Sequence, residues 1–286
     1  MNSKLKIVKT IKEVRAEVSG WKRQGLSVGL VPTMGFLHEG HRSLIERAVA
    51  ENDRVVVSDF VNPTQFGEGE DLEAYPRDID RDAVLCSDAG AALIFNPEVS
   101  EMYADGACTM VDMQGEMTTG LCGRTRPIHF RGVCTVVSKL FNIVTPDRAY
   151  FGQKDAQQLS VIKRMVKDLN FGVEIVGCPI VREPDGLAKS SRNTYLNEEE
   201  RKAALVLSKA VKKGQGMISD GEKDLDKVTA EMKALISAEP LARIDYVEAV
   251  DAENIKPVSS TEDCDQILVA MAVYVGKTRL IDNFMI

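Results

Sequence analysis

The sequence predicts an α/β protein in which a parallel sheet is covered by helices, followed by a smaller C-terminal α+β domain. Apolar runs of strand length alternate with helical patterns through the first two-thirds of the 286-residue chain. Near-continuous apolar strands that alternate with helices indicate a parallel sheet buried on both faces. The pattern changes near residue 180, so we expect one domain over residues 1–180 and a second, lid-like domain over 181–286.

The first domain is predicted from apolar runs separated by amphipathic stretches. We expect strands at 26–32, 54–60, 91–95, 148–152 and 173–177. We expect helices at about 10–24, 41–51, 78–89, 132–144 and 155–169. This alternation predicts a Rossmann-like sheet, in which ligands bind beyond the carboxyl ends of the strands.

The second domain begins with a helical pattern at 197–214, where Asn197 and Glu200 have the spacing of a capping box. Another helix is expected at about 222–237. Three strand-like runs then close the chain, at 242–250, 266–275 and 278–286. Two helices and a small antiparallel sheet are therefore expected here.

Composition excludes several classes of protein. The net charge is −7 and no long basic tract occurs, which argues against nucleic acid or a membrane surface as a partner. No apolar run approaches the roughly 20 residues that span a bilayer. The start of the chain lacks the apolar block of a signal peptide, so a cytoplasmic location is expected. The six scattered cysteines predict buried, reduced thiols and no zinc site.

Two of the three histidines, His38 and His41, lie in "PTMGFLHEGH", between a predicted strand and a predicted helix. A helix N-terminus has free N–H groups and a partial positive charge, which favour phosphate. Gly35 and Gly40 allow a tight turn and close approach of a ligand. The alternatives are that the histidines only cap the turn or bind a metal, but a metal requires more ligands. The position favours phosphate binding.

Two further motifs have polar side chains on predicted loops. "VNPTQFG" places Asn62 and Gln65 after a strand, where their amides could bind hydroxyls or a carboxylate. Such amides otherwise form turns. "RPIHFRGV" brings Arg126, His129 and Arg131 close in sequence, although basic residues on loops are commonly solvated.

The last two motifs combine cationic and hydroxyl side chains. "FGQKDAQQ" places Lys154 at a strand end, where it could meet a phosphate. Asp155 and Gln158 also fit a capping box, which is the structural alternative. "GLAKSSRN" has two serines and Arg192 in a mobile-looking loop that could close over a polyphosphate, or could be an ordinary polar loop between domains.

These five motifs together resemble the pantothenate synthetase (pantoate–β-alanine ligase) family. They occur in that family's order and spacing through nearly all of residues 25–196. "HEGH" resembles the signature of the His-x-Gly-His nucleotidyltransferase superfamily, and "KSSRN" resembles its lysine/serine loop. The resemblance implies an ATP-dependent ligase that joins (R)-pantoate to β-alanine through a pantoyl adenylate, releasing AMP and pyrophosphate. It also implies Mg²⁺ with ATP, held by phosphates and water, and a homodimer.

The resemblance assigns roles to individual residues. The implied ATP site is Met34, Gly35, Phe36, Leu37, His38, Glu39, Gly40, His41, Gly152, Gln153, Lys154, Asp155, Val181, Lys189, Ser190, Ser191 and Arg192. The implied catalytic residues are His38, His41, Lys154, Ser190, Ser191 and Arg192, with His41 as general acid. Asn62, Gln65 and Gln158 are the implied pantoate-binding residues. No protein ligand to the metal is implied, although Asp78, Asp80 and Asp82 form an acidic run.

Three positions depart from the family's pattern. Lys189 replaces a Leu or Met, Asp59 replaces an aliphatic residue within a strand, and Ala156 replaces an aromatic residue. None of these removes a residue with an implied chemical role. Two alternative functions stay open from the sequence: a related nucleotidyltransferase that adenylates another acceptor, and a non-catalytic nucleotide-binding protein.

Overall fold

A computed structural model describes residues 5–286, which form two compact units. The first unit contains the described residues through Met113 together with Arg126–Gln153 and Val161–Pro179. The second contains Gln114–Thr125, Lys154–Ser160 and Ile180–Ile286. The second unit therefore includes two segments that precede the predicted boundary at 180. The division into a nucleotide-binding domain and a lid stays a prediction.

The first unit contains a parallel sheet, as predicted. Within residues 5–286 its six strands have the order β1-β4-β3-β2-β5-β6. The strands are β1 (Lys6–Val8), β2 (Val28–Thr33), β3 (Arg54–Asp59), β4 (Leu93–Phe95), β5 (Arg148–Gly152) and β6 (Glu174–Cys178). The strand order reverses between β2 and β5, which are neighbours with Leu30 opposite Ala149. Ligands of open α/β sheets bind at the carboxyl ends of strands at such a reversal.

Helices and short turns join these strands. They are α1 (Ile11–Lys22), α2 (Glu39–Glu51), α3 (Ile79–Asp88), α4 (Val99–Met102), α7 (His129–Val144) and α8 (Ala156–Asp168). The central parts of β2 and β3, residues 28–31 and 55–57, have no polar side chain because both faces of the sheet are covered there. Helix α7 is buried along most of its length because it is apolar on nearly all sides.

The second unit combines helices with an antiparallel sheet, which confirms the predicted α+β class. Its sheet has the order β7-β8-β9, with β7 (Ala242–Asp251), β8 (Ile267–Val275) and β9 (Thr278–Met285). Its helices are α5 (Glu116–Thr119), α6 (Cys122–Thr125), α9 (Glu198–Ala203), α10 (Leu205–Ser219) and α11 (Leu225–Ser237). Leu207, Val211, Met232 and Phe284 belong to the core between helices and sheet.

Some predicted elements differ from the structure. The helices α4 to α6 were not predicted, because four residues show no helical period. Strand β1 was not predicted because two of its three residues are exposed. The single helix predicted at 197–214 is wrong: it divides at Ala204, whose N–H bonds to the carbonyls of both Glu200 and Lys202. The capping box of Asn197 and Glu200 is confirmed.

The structure also bears on the cysteine and membrane predictions. All six cysteines are free, and Cys86, Cys134 and Cys178 are buried as predicted. The prediction of burial is wrong for Cys108, which is exposed. Within residues 5–286, no helix has the length and apolar character needed to cross a bilayer. Residues 1–4, which entered the signal-peptide prediction, lie outside the described residues.

Candidate functional site

The two histidines of "HEGH" cap the N-terminus of α2. His38 is the N-cap, and its Nδ1 accepts a hydrogen bond from the N–H of Gly40 at 3.1 Å. The N–H of His38 in turn donates to Nδ1 of His41 at 3.3 Å. The two ring centroids are 4.1 Å apart. The imidazoles thus form a reciprocal capping box, a role that Ser and Glu side chains commonly perform.

This cap determines which ring nitrogens carry protons. Because Nδ1 of each neutral imidazole accepts a hydrogen bond, the ring proton belongs on Nε2. Both Nε2–H groups are then donors at a helix N-terminus, where the helix dipole also favours an anion. The histidines therefore do cap the turn, and phosphate binding stays a prediction. Capping fixes the tautomer that phosphate binding requires.

The turn before α2 has a backbone that few sequences adopt. Gly35 and Phe36 both have positive φ, 78° and 50°. Asp82, buried in α3, accepts the N–H of Phe36 at 2.6 Å and that of Leu37 at 2.7 Å. The guanidinium of Arg81 lies over the Phe36 ring at 4.5 Å. Helix α3 therefore holds the turn in place, and Asp82 satisfies backbone groups where a metal ligand had been considered.

The strand reversal places two of the predicted nucleotide-binding segments side by side. The turn 34–38 follows β2, and Gly152 and Gln153 follow the carboxyl end of the neighbouring strand β5. A Cβ atom added at Gly152 would have no heavy atom within 4 Å, so open space lies over this backbone. The two segments thus lie at the same edge of the first unit's sheet, and their joint binding of a nucleotide stays a prediction.

A buried amide network follows β3. Asn62 is 1% exposed and caps the short helix Pro63–Gln65. Its Nδ2 donates to Oε1 of Gln65 at 3.0 Å, and its Oδ1 accepts the hydroxyl of Tyr103 at 2.8 Å. Nε2 of Gln65 then donates to Sδ of Met34 at 3.2 Å. These contacts orient the Gln65 amide and join it to the turn before α2.

The "RPIHFRGV" motif supports the same glutamine. Arg126 and His129 both contact the carbonyl oxygen of Gln65, at 3.3 Å and 3.1 Å. Arg126 also forms an ion pair with Glu70 at 2.6 Å, and its side chain is only 14% exposed. Burial alone would raise the pKa of Glu70, but the hydrogen bond and charge of Arg126 hold it below its usual range. Arg126 is therefore structural here, and not a solvated loop residue.

Lys154 and the glutamines after it belong to the second unit. Nζ of Lys154 lies 3.4 Å from Oδ2 of Asp155. Gln157 is buried, and its amide bonds to the backbone of Met117, Gly120 and Cys122. The side chain of Gln158 is partly exposed and makes no hydrogen bond within the described residues. The adjacent glutamines thus differ: Gln157 supports the fold, and Gln158 is available to a ligand.

The segment from Val181 to Arg192, predicted as a loop, contains a short hairpin and the start of a 3₁₀ helix. The N–H of Lys189 donates to the carbonyl of Val181 at 2.9 Å. Arg182 binds the buried carboxylate of Asp282 through two nitrogens, at 2.7 and 2.9 Å. Ser190 caps the 3₁₀ helix Ser191–Tyr195 by accepting the N–H of Arg192 at 3.3 Å. Closure of this segment stays a prediction.

The predicted site residues divide between the units. His38, His41, Asn62 and Gln65 are in the first unit, while Lys154, Gln158, Val181 and Lys189–Arg192 are in the second. The combined action of the two groups stays a prediction. Ala156, one of the three positions that depart from the family's sequence pattern, packs beside an apolar cluster that includes Leu121 and Tyr246.

Several supporting residues could not be found from the motifs. Tyr103 has no sequence signal, because it is distant in the chain from the amides it contacts. Gly132 had a usable signal, since a glycine inside a helical pattern often marks close backbone contact. A Cβ atom there would lie 2.4 Å from the carbonyl oxygen of Thr64.

Comparison with known proteins agrees with this geometry. The sequence profile of the family described as pantoate-beta-alanine ligase matches residues 6–285. A relative from Clostridium acetobutylicum, called pantothenate synthetase, is 60% identical over 280 residues, covering 98% of this chain and 99% of the relative. A pantothenate synthetase crystal structure from Thermus thermophilus has a TM-score of 0.91 at 46% identity, covering 98% of each chain.

A second solved structure was determined with ligands. It is a pantoate-beta-alanine ligase from Francisella tularensis in complex with beta-gamma ATP and β-alanine. Its TM-score is 0.79 at 34% identity, covering 98% of this chain and 97% of that one. The family profile and these similarities extend over nearly the whole chain, so this protein belongs to the pantoate–β-alanine ligase family.

Proposed function

We propose that this protein joins (R)-pantoate to β-alanine at the expense of ATP, forming pantothenate, AMP and pyrophosphate. The observation that carries the proposal is the pair of capping histidines at the N-terminus of α2, with both Nε2 atoms assigned as donors. The crystal structure of the Francisella relative, a complex with beta-gamma ATP and β-alanine, supports the same substrates.

The first step forms a pantoyl adenylate. A carboxylate oxygen of pantoate attacks the α-phosphorus, the bond from that phosphorus to the bridging oxygen breaks, and pyrophosphate leaves. His38 binds the phosphates, and Nε2–H of His41 donates to the oxygens on which negative charge develops. Such preoriented donors stabilise a transition state because they need little reorganisation as the charge moves.

The second step transfers the pantoyl group to β-alanine. The amine attacks the acyl carbon, the bond to the AMP oxygen breaks, and the amine loses a proton as the amide forms. No side chain becomes covalently attached at either step. The protein contributes by aligning the reactants and by neutralising charge.

Pantoate selection is assigned to Gln65, with Asn62 behind it and Gln158 from the second unit. The Gln65 amide is held by Asn62 and Met34, so its hydrogen-bonding groups have a fixed orientation towards a hydroxyl or carboxylate of the substrate. A site whose buried polar groups hydrogen-bond the correct substrate discriminates strongly against acids that lack the matching group, because the polar groups would then be unpaired. These residues should therefore distinguish pantoate from other hydroxy acids.

The triphosphate is assigned to the second unit's cationic and hydroxyl side chains. Lys154, Ser190, Ser191 and Arg192 would bind it together with the α2 N-terminus, and Lys189 adds a further ammonium group. Val181 would lie against the adenine. Closing the 185–192 segment would exclude water from the activated acid.

Mg²⁺ is expected with ATP, held by phosphate oxygens and water. Within the described residues, no group of three metal-ligating side chains occurs. Asp82 accepts two N–H groups of the turn, and Asp78 caps α3 by accepting the N–H of Arg81. The acidic run therefore does not fit as a ligand set. We therefore propose that phosphate oxygens and water, and not protein side chains, bind the metal.

Assembly and location complete the proposal. We place the protein in the cytoplasm as a homodimer with small-molecule substrates, and without a nucleic-acid or membrane partner. The net charge of −7 supports the absence of a nucleic-acid partner.

The test is to follow heavy-oxygen label from the pantoate carboxylate while products are identified. Attack on the α-phosphorus predicts that AMP and pantothenate form in equal amounts and that AMP acquires one labelled oxygen. Formation of ADP, or AMP without label, would contradict the adenylate. AMP formation with another hydroxy acid but not with pantoate would indicate a related nucleotidyltransferase.

A further inference from the structure

Two buried carboxyl groups lie beneath the turn that leads into α2. Asp59 is the last residue of β3 and Asp82 lies in α3, at 7% and 1% exposure. Asp82 accepts the N–H groups of Phe36 and Leu37. A Cβ atom added at Gly35 would lie 2.4 Å from Oδ1 of Asp59 and 3.4 Å from Oδ2 of Asp82. Both carboxyls therefore meet directly under the turn.

The surroundings of Asp59 favour its neutral form. Its Oδ2 is buried without a hydrogen-bond partner in the described part of the chain. Burial, followed by the charge of Asp82 and a hydrogen bond to it, raises the pKa of Asp59 to about 7. Burial also raises the pKa of Asp82, but the N–H groups of Leu37 and Phe36 favour its charged form. A single proton between them therefore belongs mainly on Asp59.

The other titratable and charged groups near the pair are few. Arg81, on the same helix as Asp82, acts on that carboxylate and stacks on Phe36. Cys86 is also on α3, and burial raises the pKa of its thiol to about 12, so it stays neutral. From the strand side, Asn96 donates to the backbone carbonyl of Asp59 at 2.9 Å. His38 follows the turn, and its Nδ1 accepts the N–H of Gly40 at 3.1 Å.

We propose that Asp59 and Asp82 share one proton and act as a positioning pair for the nucleotide-binding turn. Neutral Asp59 donates to Asp82, and Asp82 holds the N–H groups of Phe36 and Leu37. Loss of the proton places a second negative charge beneath a turn that binds polyphosphate. ATP affinity then falls as Asp59 ionises. The role in ATP binding rests on the proposed function, whereas the shared proton does not.

The decisive variant is Asp59→Asn, whose amide can still donate to Asp82 but cannot ionise. ATP affinity is measured by calorimetry on both sides of pH 7 for the wild type and this variant. From the lower to the higher pH, the ATP affinity of the wild type should fall by a factor roughly tenfold larger than that of the variant. This is the effect expected for one added negative charge near a polyphosphate. The two proteins contain the same histidines, so the difference between their pH dependences reports the carboxyl at position 59. Equal pH dependence in both would overturn the proposal.

Asp59→Ala provides the second arm, because it removes both the charge and the donor. We expect it to raise the KM for ATP while Asp59→Asn retains a near-normal value below pH 7. If Asp59 contributes only to packing, Asp59→Ala and Asp59→Asn should raise the KM for ATP by similar amounts. That result would also overturn the proposal. If Asp59→Ala does not fold, the comparison of Asp59→Asn with the wild type still decides the question.

The shared proton has a readout that does not require ATP. The pKa of Asp59 is raised in the folded protein from its ordinary value of 3.8 to about 7, so its contribution to stability is fully present below pH 3.8 and is lost progressively as pH rises from there to about 7. The melting temperature of the wild type should fall relative to Asp59→Asn over that interval. A constant difference would refute the shared proton. Absence of ATP binding by the wild type, with the melting shift present, would instead refute the proposed function.

Discussion

Nδ1 of His41 accepts the backbone N–H of His38 at 3.3 Å, while the centroids of the two rings lie 4.1 Å apart. One pair of side chains thus completes the helix terminus and directs two ring N–H donors from it. Capping and the proposed phosphate binding therefore involve the same residues. The contribution of a histidine to catalysis can be separated from its contribution to capping by replacing it with a residue that can cap the helix but has no ring N–H.

His38→Asn is the variant that separates these contributions. Asn is among the preferred N-cap residues, so the free energy of unfolding should change by no more than about 0.5 kcal/mol. The side chain lacks an Nε2–H donor, and we expect turnover to fall roughly tenfold or more. Steady-state kinetics and thermal unfolding measure the two quantities. Normal turnover in this variant would mean that His38 acts only as a cap.

Gly35→Ala should impair the turn before α2. A non-glycine residue at φ 78° costs about 1 kcal/mol or more, and the new Cβ would lie 2.4 Å from Asp59. We expect a higher KM for ATP and a lower melting temperature. The matched control is Gly216→Ala in α10, where a Cβ meets nothing within 4 Å. Unchanged ATP kinetics in Gly35→Ala would show that the turn does not bind the nucleotide.

Tyr103→Phe should affect pantoate and not ATP. It removes the hydroxyl that donates to Asn62 and so loosens the amide network around Gln65. Loss of about 1 kcal/mol predicts a roughly fivefold rise in the KM for pantoate. Tyr274→Phe is the control, because that ring stacks under Arg243 in the second unit. A rise in the KM for ATP alone would place Tyr103 at a different site.

The adjacent glutamines provide a prediction with an internal control. Gln158→Ala should raise the KM for pantoate and leave the melting temperature almost unchanged. Gln157→Ala should lower the free energy of unfolding by about 2 kcal/mol or more, because it leaves buried backbone groups unpaired. Kinetics and chemical denaturation distinguish them. If Gln158→Ala destabilises the protein and retains its KM, the assignment of Gln158 to pantoate is incorrect.

Much of the fold could be predicted because its signals are local. The apolar runs of β2 and β3 reflect burial on both faces, and the capping box of Asn197 and Glu200 is readable from four residues. The division at Ala204 could not be predicted, because residues 197–214 keep a helical pattern across it. Strand β1 was missed because only Val8 of its three residues is buried, whereas the equally short β4 is apolar and buried throughout.

The site was predictable to the extent that its residues lie in motifs. The positions of His38 and His41 at the start of a helix follow from the strand–turn–helix pattern. The hydrogen bonds from the turn to Asp82 could not be predicted from that pattern, because their donors are 45 and 46 residues away in the chain. Arg126 was expected to be solvated, and its burial depends on Glu70, which no local pattern indicates.

The central claim is that the protein activates pantoate as an acyl adenylate at the α2 terminus. It is tested most directly by exchange of labelled pyrophosphate into ATP with pantoate present and β-alanine absent. The wild type should catalyse exchange with pantoate and not with other hydroxy acids, and His41→Ala should lower the rate on the order of 10²-fold. ATP binding without exchange for any acid, or unchanged exchange in a folded His41→Ala variant, would contradict the claim.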